Sequence, residues 1–562
     1  MIRAQRGPGA ALLLIAVLGS LGLAGPAAAA GKPDLRRAVI LGLQRPEQDL
    51  ARFVEAASTP GSSSYGRYLT LPELRRTYGA KEGDRHRVMR FLRRAPGVRS
   101  VQMGPTGTVV LATMGAGASQ RLFCAKGERP PRGGLCVPAG LRGAVRQVVA
   151  GGTYKAGGKA QGSASASQGA PQGCKAALES KTLTPNQVST AYGADQLAAR
   201  GLSGHGIVVN TLSSAEVDPG ELRTWAKCFG LPTPNFHQVS MPGASMESSS
   251  APEETYLDAE ALAALAPGLQ RINAVFVPLI TSFQSAFSLF MFGSLDPARQ
   301  GGRLPDVLSI SDGVCESRIS REDRAVGQHL LRAAAALGIT ALAASGDLGF
   351  QGCQEEAKGA DWPGSSRYVT SVGGTEVTLG PQNQLLDQVV WATFATEPPG
   401  SGTGSGGGPS AVWPRPGWQL APGIGPALQP GDPTRLTPDL ASMGSFTPGL
   451  ATLGGGEGWG PGGGTSAATP LTAAILALVL EQERAAGRPP LGAANRLLYG
   501  LAESPASYKA VFSDIVTGTS SPRPSSELGR SPAGGAAQPG YDLATGLGSL
   551  WAPGFAAAVA AR

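Results

Sequence analysis

A set of short, wholly apolar runs separated by helical stretches constrains this chain more than any other feature: "GIVVNTL", "RINAVFVP", "DVLSIS", "ITALAAS" and "YVTSVGG". A strand that is apolar on both faces has no side to give to water, so it belongs in a parallel sheet with helices packed on both faces. The expected body is therefore α/β. No internal repeat is present, which argues against a solenoid or propeller.

At 562 residues the chain is too long for one ordinary domain. Residues 35–150 carry strand-like pieces ("RAVILGLQ", "VRSVQMG", "GTVVLAT") and helical pieces ("PEQDLARFVEAAS", "GDRHRVMRFLRR"), a small α+β unit. The stretch "AGGTYKAGGKAQGSASASQGAPQG" after them is rich in Gly, Ser and Ala, cannot bury a core, and reads as a flexible, protease-sensitive linker. The first thirty residues have the basic start, apolar centre and small-residue end of a secretory signal. The expected division is 1–30 signal peptide, 31–152 N-terminal domain, 153–180 linker and 181–562 main domain. The other long apolar run, "LTAAILALVL", is too short to cross a bilayer. The mature protein is thus expected to be secreted, extracellular and free of the membrane.

Six cysteines, Cys124, Cys136, Cys174, Cys228, Cys315 and Cys353, lack any zinc-like spacing and fit disulfides in an oxidising compartment. Short separation favours Cys124 with Cys136. From Gly31 to Lys126 there are 17 Lys+Arg against 7 Asp+Glu, whereas the rest beyond the signal is mildly acidic. Without interleaved aromatic residues or a binding motif this block does not read as a nucleic-acid surface. It is either a solvated basic face or a basic propeptide lying over an acidic enzyme.

The chemistry starts from "GGGTSAATP", Gly462 to Pro470, where Ser466 follows Gly-Thr at the start of a helical run. A serine hydroxyl needs a base. The four histidines, His86, His205, His237 and His329, stand in no catalytic context. Carboxylates are the alternative. Glu254 and Asp258 in "APEETYLDAEALAALAPG" are spaced i, i+4, so a helix sets both on one face. Taken alone that pair is an ordinary acidic surface, and Asp347, ending "ITALAASGDLG", is equally an ordinary turn aspartate.

Together these pieces resemble the sedolisin, or serine-carboxyl peptidase, family: Glu-x-x-x-Asp, Ser-Gly-Asp and Gly-Thr-Ser-x-x-x-Pro occur in order at Glu254 and Asp258, Ser345 to Asp347, and Gly464 to Pro470. "WPGSSRYVTSVGGT" and "TPDLAS" agree, and "SSSYGRYLTLPEL" looks like the family's activation domain. The resemblance implies a subtilisin-like sheet, Ser466 as nucleophile, Glu254 as its base, Asp258 as the partner orienting Glu254, and Asp347 as oxyanion donor. It also implies a calcium ion held by Asp514 and Asp542 side chains with the carbonyls of Ile515, Gln538 and Gly540, and a disulfide between Cys315 and Cys353. Oxygen-only ligation suits that hard cation. One departure stands out: Asp312 occupies the aromatic position of the phrase Ser-x-Ser-aromatic-Gly.

The expected protein is a monomeric, acid-acting endopeptidase made as a self-processing precursor, its own propeptide inhibiting it and peptides or proteins its substrates. A tripeptidyl aminopeptidase of the same family is the variant. A histidine-dependent subtilisin-like peptidase lacks its His-Gly-Thr context, and a non-catalytic binding protein would not need the four acid and serine positions. "GTGSGG", Gly402 to Gly407, fits a dinucleotide fingerprint but is followed by "GPSAVWPRP", which cannot open a helix, so it reads as a structural or substrate-side glycine loop.

Overall fold

A computed structural model describes residues 36–124, 129–131, 134–150, 168–213, 215–241, 252–277, 283–352, 359–397, 402–420, 433–522 and 534–562. Its N-terminal domain is an antiparallel sheet of Arg36–Leu43 (β1), Val98–Met103 (β2), Val109–Gly115 (β3), Gly134–Leu135 (β4) and Val145–Ala150 (β5), in the order β2-β3-β1-β5-β4. The sequence of β1, RRAVILGL, is apolar at successive positions, and the period of two divides it between faces. Val39, Leu41 and Leu43 enter the domain's own core, with Val88 and Leu92 of the helix Glu82–Arg94. Ala38 and Ile40 enter a second core shared with the main body.

Each of the five apolar runs becomes a strand, Val208–Ser213 (β6), Arg271–Phe276 (β8), Val307–Ile310 (β9), Thr340–Ala344 (β10) and Thr370–Leu379 (β11), and the sheet adds three strands that the runs did not mark, Phe236–Ser240 (β7), Leu385–Val390 (β12) and Leu440–Met443 (β13). They form one sheet in the order β12-β11-β10-β9-β6-β8-β7, with β13 also paired to β11. All pairings are parallel except β11 with β12. Every residue of β6, β9 and β10 is buried, as two-sided coverage requires. The strand order reverses beside β6, between β8 and β9, which is where an open α/β sheet parts its loops into a crevice at the carboxyl ends.

Five helices position the crevice and the contact between the two domains: Glu47–Ser58 (α1) in the N-terminal domain, then Pro252–Leu265 (α2), Phe283–Ser294 (α3), Arg321–Ala336 (α4) and Gly464–Ala485 (α5). On one face of the sheet α5 packs against α2, β9, β10, β11 and β13. Although 22 residues long and apolar, α5 has 17 of its residues buried inside the protein, the signature of a core helix. The other face carries α3 and α4, and the N-terminal domain rests on these two.

That contact corrects the picture of a basic domain held over an acidic cleft. It is an apolar face: Ala38, Ile40, Leu50, Val54, Leu74, Val109, Leu111 and Val149 meet Leu289, Phe290, Val326, Leu330 and Leu331. At its polar edge the arginines come from both sides: Arg496 of the main body pairs with Glu55 and Arg332 donates to Glu47 O at 3.1 Å, while Arg45 and Arg146 of the N-terminal domain pair with the Glu47 carboxylate. The domain's own Arg87, Arg90, Arg93 and Arg94 face solvent.

Disulfides join Cys124 to Cys136 and Cys174 to Cys228, and Cys315 is disulfide-bonded as well. Its expected partner, Cys353, lies outside the described residues, as do the signal segment and residues 151–167. The later part of the expected linker, residues 168–180, is tied down: Ala170 N–H donates to Asn383 Oδ1 at 2.6 Å, Leu379 N–H to Gln168 Oε1 at 2.8 Å, and Cys174 carries its disulfide.

Candidate active site

Helix α2 points its acidic face at the carboxyl ends of β6 and β9. Asp258 is wholly buried. It lies between two hydroxyl donors: Ser311, just past β9, donates to Oδ1 at 2.5 Å, and Thr211 of β6 donates to Oδ2. Burial pushes Asp258 up to about 8, against the pull of those hydroxyls and with the help of the Asp312 charge. Glu254, one turn earlier, is raised well above the usual range by burial first, then by Asp258 and Asp312; a hydrogen bond with Ser466 works the other way. Its Oε1 is buried without a hydrogen-bond partner.

Ser466 sits in the first turn of α5. In this conformation its hydroxyl is loosely held, donating to Ser311 O at 3.4 Å, while Ser311 Oγ can also donate back to Ser466 O at 3.2 Å. Catalytic hydrogen bonds are often long in a site without substrate. Ser311 thus joins the acid pair to the serine.

Asp347 follows β10 and closes the other side. Its Oδ1 accepts both the Thr465 N–H at 2.8 Å and the Thr465 hydroxyl at 2.7 Å, so the carboxyl satisfies one of the orphan donors at the start of α5. Gly464 must be glycine here: φ is +77°, and a Cβ would lie 2.6 Å from Asp347 Oδ2. Burial raises Asp347, with the two Thr465 bonds opposing. The glycine run is a brace for this loop, since Gly404 N–H donates to Asp347 O at 2.9 Å and Gly406 N–H to Gly346 O at 2.7 Å.

The structure thus brings Glu254, Asp258, Asp347 and Ser466 into one crevice and adds residues that motif reading did not assign. Ser311 and Thr211 were legible only as polar positions in apolar strands. Asp361 gave no signal: it packs against Gly346, where φ is +103° and any Cβ would clash with its carboxyl, and burial together with Asp347 raises it to about 7. Asp312 is raised to about 6 by burial. No histidine joins this set among the described contacts: His329 meets Thr108 at 2.9 Å, His86 meets Glu82, His237 meets Asn235, and His205 is exposed.

Near the C-terminus, Asp514 and Asp542 occupy adjoining turns. Asp514 Oδ2 accepts the Gly540 N–H at 3.0 Å, and Asp542 Oδ2 accepts the Gln538 N–H at 3.3 Å. Among the described residues no group of three or more His, Cys, Asp or Glu side chains is placed to hold a metal. Any ion here would therefore need the backbone carbonyls of Ile515, Gln538 and Gly540 beside the two carboxylates, an all-oxygen set whose chemistry fits calcium.

Comparison with known proteins bears on this architecture directly. Residues 27–129 match the family model described as Pro-kumamolisin, activation domain. Kumamolisin from Bacillus sp. (strain MN-32) is 31% identical over 374 residues, 65% of this chain and 61% of that protein. Tripeptidyl-peptidase 1 from Homo sapiens is 33% identical over 212 residues, 35% of this chain and 34% of the relative. The chain thus spans less than two thirds of the length of these relatives. In fold, Pseudomonas sedolisin, solved with pseudo-iodotyrostatin, superposes with a TM-score of 0.56 at 20% identity, covering 70% of this chain and all of that one.

A domain matching the pro-kumamolisin activation domain, seated on a subtilisin-like α/β body, defines the class of fold. Within that class the chain is similar to the sedolisin, or serine-carboxyl peptidase, family, and its N-terminal domain matches the pro-kumamolisin activation domain.

Proposed function

We propose that the chain is the precursor of a secreted, acid-acting serine-carboxyl endopeptidase. The observation that carries this reading is the crevice itself: Ser466 lies against Glu254, Asp258 backs Glu254 under two hydroxyl donors, and Asp347 is clamped on Thr465. Ser466 Oγ attacks the peptide carbonyl while Glu254 takes its proton, and Asp258 shares the charge. The carbonyl oxygen gains negative charge, and Asp347 donates its acid proton to it. Because Thr465 occupies Oδ1, the oxygen free for that role is Oδ2. Collapse breaks the C–N bond, Glu254 returns the proton to the leaving amine, and a water activated by the same glutamate releases the acyl group.

The pH dependence comes from the sign of the shifts. Raised carboxyls keep their protons further up the scale, so in acid the set carries little charge and Asp347 is a donor. As pH rises through about 6 to about 8, Asp312, Asp361 and Asp258 ionise in turn, and Asp347, raised by burial, stops being a donor once it too ionises. Activity should fade across that window. Tripeptidyl-peptidase relatives support an exopeptidase as the second reading. Cleavage of an N-terminally blocked peptide by the acid-treated protein supports the endopeptidase; release of tripeptides from free N-termini alone would replace it. A calcium ion held by Asp514, Asp542 and the carbonyls of Ile515, Gln538 and Gly540 would stiffen the C-terminal turns and takes no part in the proton transfers.

A further inference from the structure

His329 lies on α4 where the activation domain rests, outside the serine's crevice and 2% exposed. Its Nε2 is 2.9 Å from the hydroxyl of Thr108 on the activation domain, and its Nδ1 is buried with no partner. The charged groups around it are mostly of one sign. From the activation domain come Arg45, with a fully buried side chain, and Arg146; from α4 itself comes Arg332. The acid nearest these is Glu47, and it is already committed, 2.7 Å from Arg45 and 3.1 Å from Arg146. Asp323, earlier on α4, faces α3 and accepts from Ser288 at 2.6 Å. Neither α3 nor β10 carries a titratable side chain toward this position.

A neutral imidazole fits this pocket and an imidazolium does not. Protonation would place a further positive charge among three arginines and create an Nδ1–H donor with no acceptor. The geometry points to His329 as the proton sensor that loosens the activation domain in acid: a proton that the docked state refuses is accepted once the domain swings away. Burial first, then the arginines, hold His329 well below its ordinary value while docked. Undocking removes both Arg45 and Arg146 and exposes the ring. The docked state therefore binds fewer protons, so docking is at full strength above the free-histidine value of ~6.5 and weakens by about tenfold for each pH unit below it. This regulation rests on the precursor reading but not on the peptidase chemistry.

The test uses the full-length chain carrying Ser466→Ala, which lacks the proposed nucleophile and so cannot process itself. Docking is read by backbone hydrogen exchange at Leu69, whose N–H donates across the interface to Ala336 O at 2.9 Å. His329→Gln keeps a polar side chain near Thr108 without the titration. At pH 5.5 its Leu69 opening should be about tenfold less than that of the parent, with equality near pH 7.5. Arg146→Met, at a half-exposed position outside the core, should shift the parent's opening to lower pH, because it eases the docked imidazolium. Thr108→Val should loosen docking equally at every pH. A folded His329→Gln chain whose opening keeps the parent's pH dependence would overturn the proposal, as would an Arg146→Met chain that opens at higher pH. Acid opening of the parent, without processing when Ser466 is restored, would leave the sensor standing and sink the peptidase reading.

Discussion

The crevice under Ser466 and the face beneath the activation domain are both lined by buried ionisable groups, but of opposite sign. In the crevice, carboxyls crowd together and burial raises them, so acid lowers the charge of the set and keeps Asp347 protonated, while the remaining negative charge is shared by Glu254 and Asp258. At the docking face, a lone histidine sits among arginines and burial lowers it, so acid adds a charge that the interface cannot hold. The same desolvation thus tunes two regions toward acid. Under the proposed mechanism it favours the chemistry in one, and under the proposed sensor it releases a cover in the other.

The largest effect should break the crevice side alone. Ser466→Ala is expected to leave the precursor folded and docked but to abolish peptidase activity and self-processing, a loss of ~10⁴-fold or more in kcat/KM; maturation of the purified variant at the normal rate would remove Ser466 from the mechanism. Asp347→Ala should cost the ~10²–10³-fold typical of one oxyanion donor, measured on the acid-processed enzyme. Asp347→Asn keeps a donor that no longer titrates, so its activity should persist to higher pH than that of the parent relative to its own maximum.

Asp312→Asn sharpens the comparison, because it removes a charge that raises Glu254 and Asp258 without touching the docking face. The rising limb of the kcat/KM profile, which reports the base, should move toward acid. The pH at which Leu69 opens in the Ser466→Ala background should stay put. A profile indistinguishable from the parent's would show that Asp312 is electrically remote from Glu254.

The smallest expected effect lies outside both regions. At ~100 times its Kd a calcium ion bound only to the native state adds about 2.7 kcal/mol. Chelation, or Asp514→Ala, should therefore lower the thermal midpoint of the mature enzyme by about 3–4 °C. No change in either experiment would eliminate the site.

Sequence legibility followed the physics of each element. Parallel strands were readable because β6, β9 and β10 are buried on both sides and must be apolar throughout. Glu254, Asp258, Asp347 and Ser466 were readable as spaced motifs. Thr211, Ser311 and Asp361 were not, because each acts through a neighbour brought close by the sheet: β6 beside β9 puts Thr211 and Ser311 on the two oxygens of Asp258. Net charge misled about docking. It counts Arg87, Arg90, Arg93 and Arg94 on an outer helix, whereas the contact is made by the alternate residues Ala38 and Ile40 of β1 with Val109 and Leu111 of β3. Nor does a spacing of 54 residues announce the Cys174–Cys228 bond, which anchors a stretch that composition alone marks as free.

The most direct test of the carboxyl-driven serine is to trap the acyl-enzyme. Acid-processed protein is mixed with an activated ester of a short peptide at pH 4, quenched within milliseconds and digested, and the acyl mass is located by sequencing. The acyl group is expected on Ser466, its accumulation reduced strongly in Glu254→Gln and absent in Ser466→Ala. An acyl group on any other residue, or undiminished acylation of Ser466 in Glu254→Gln, would contradict the mechanism.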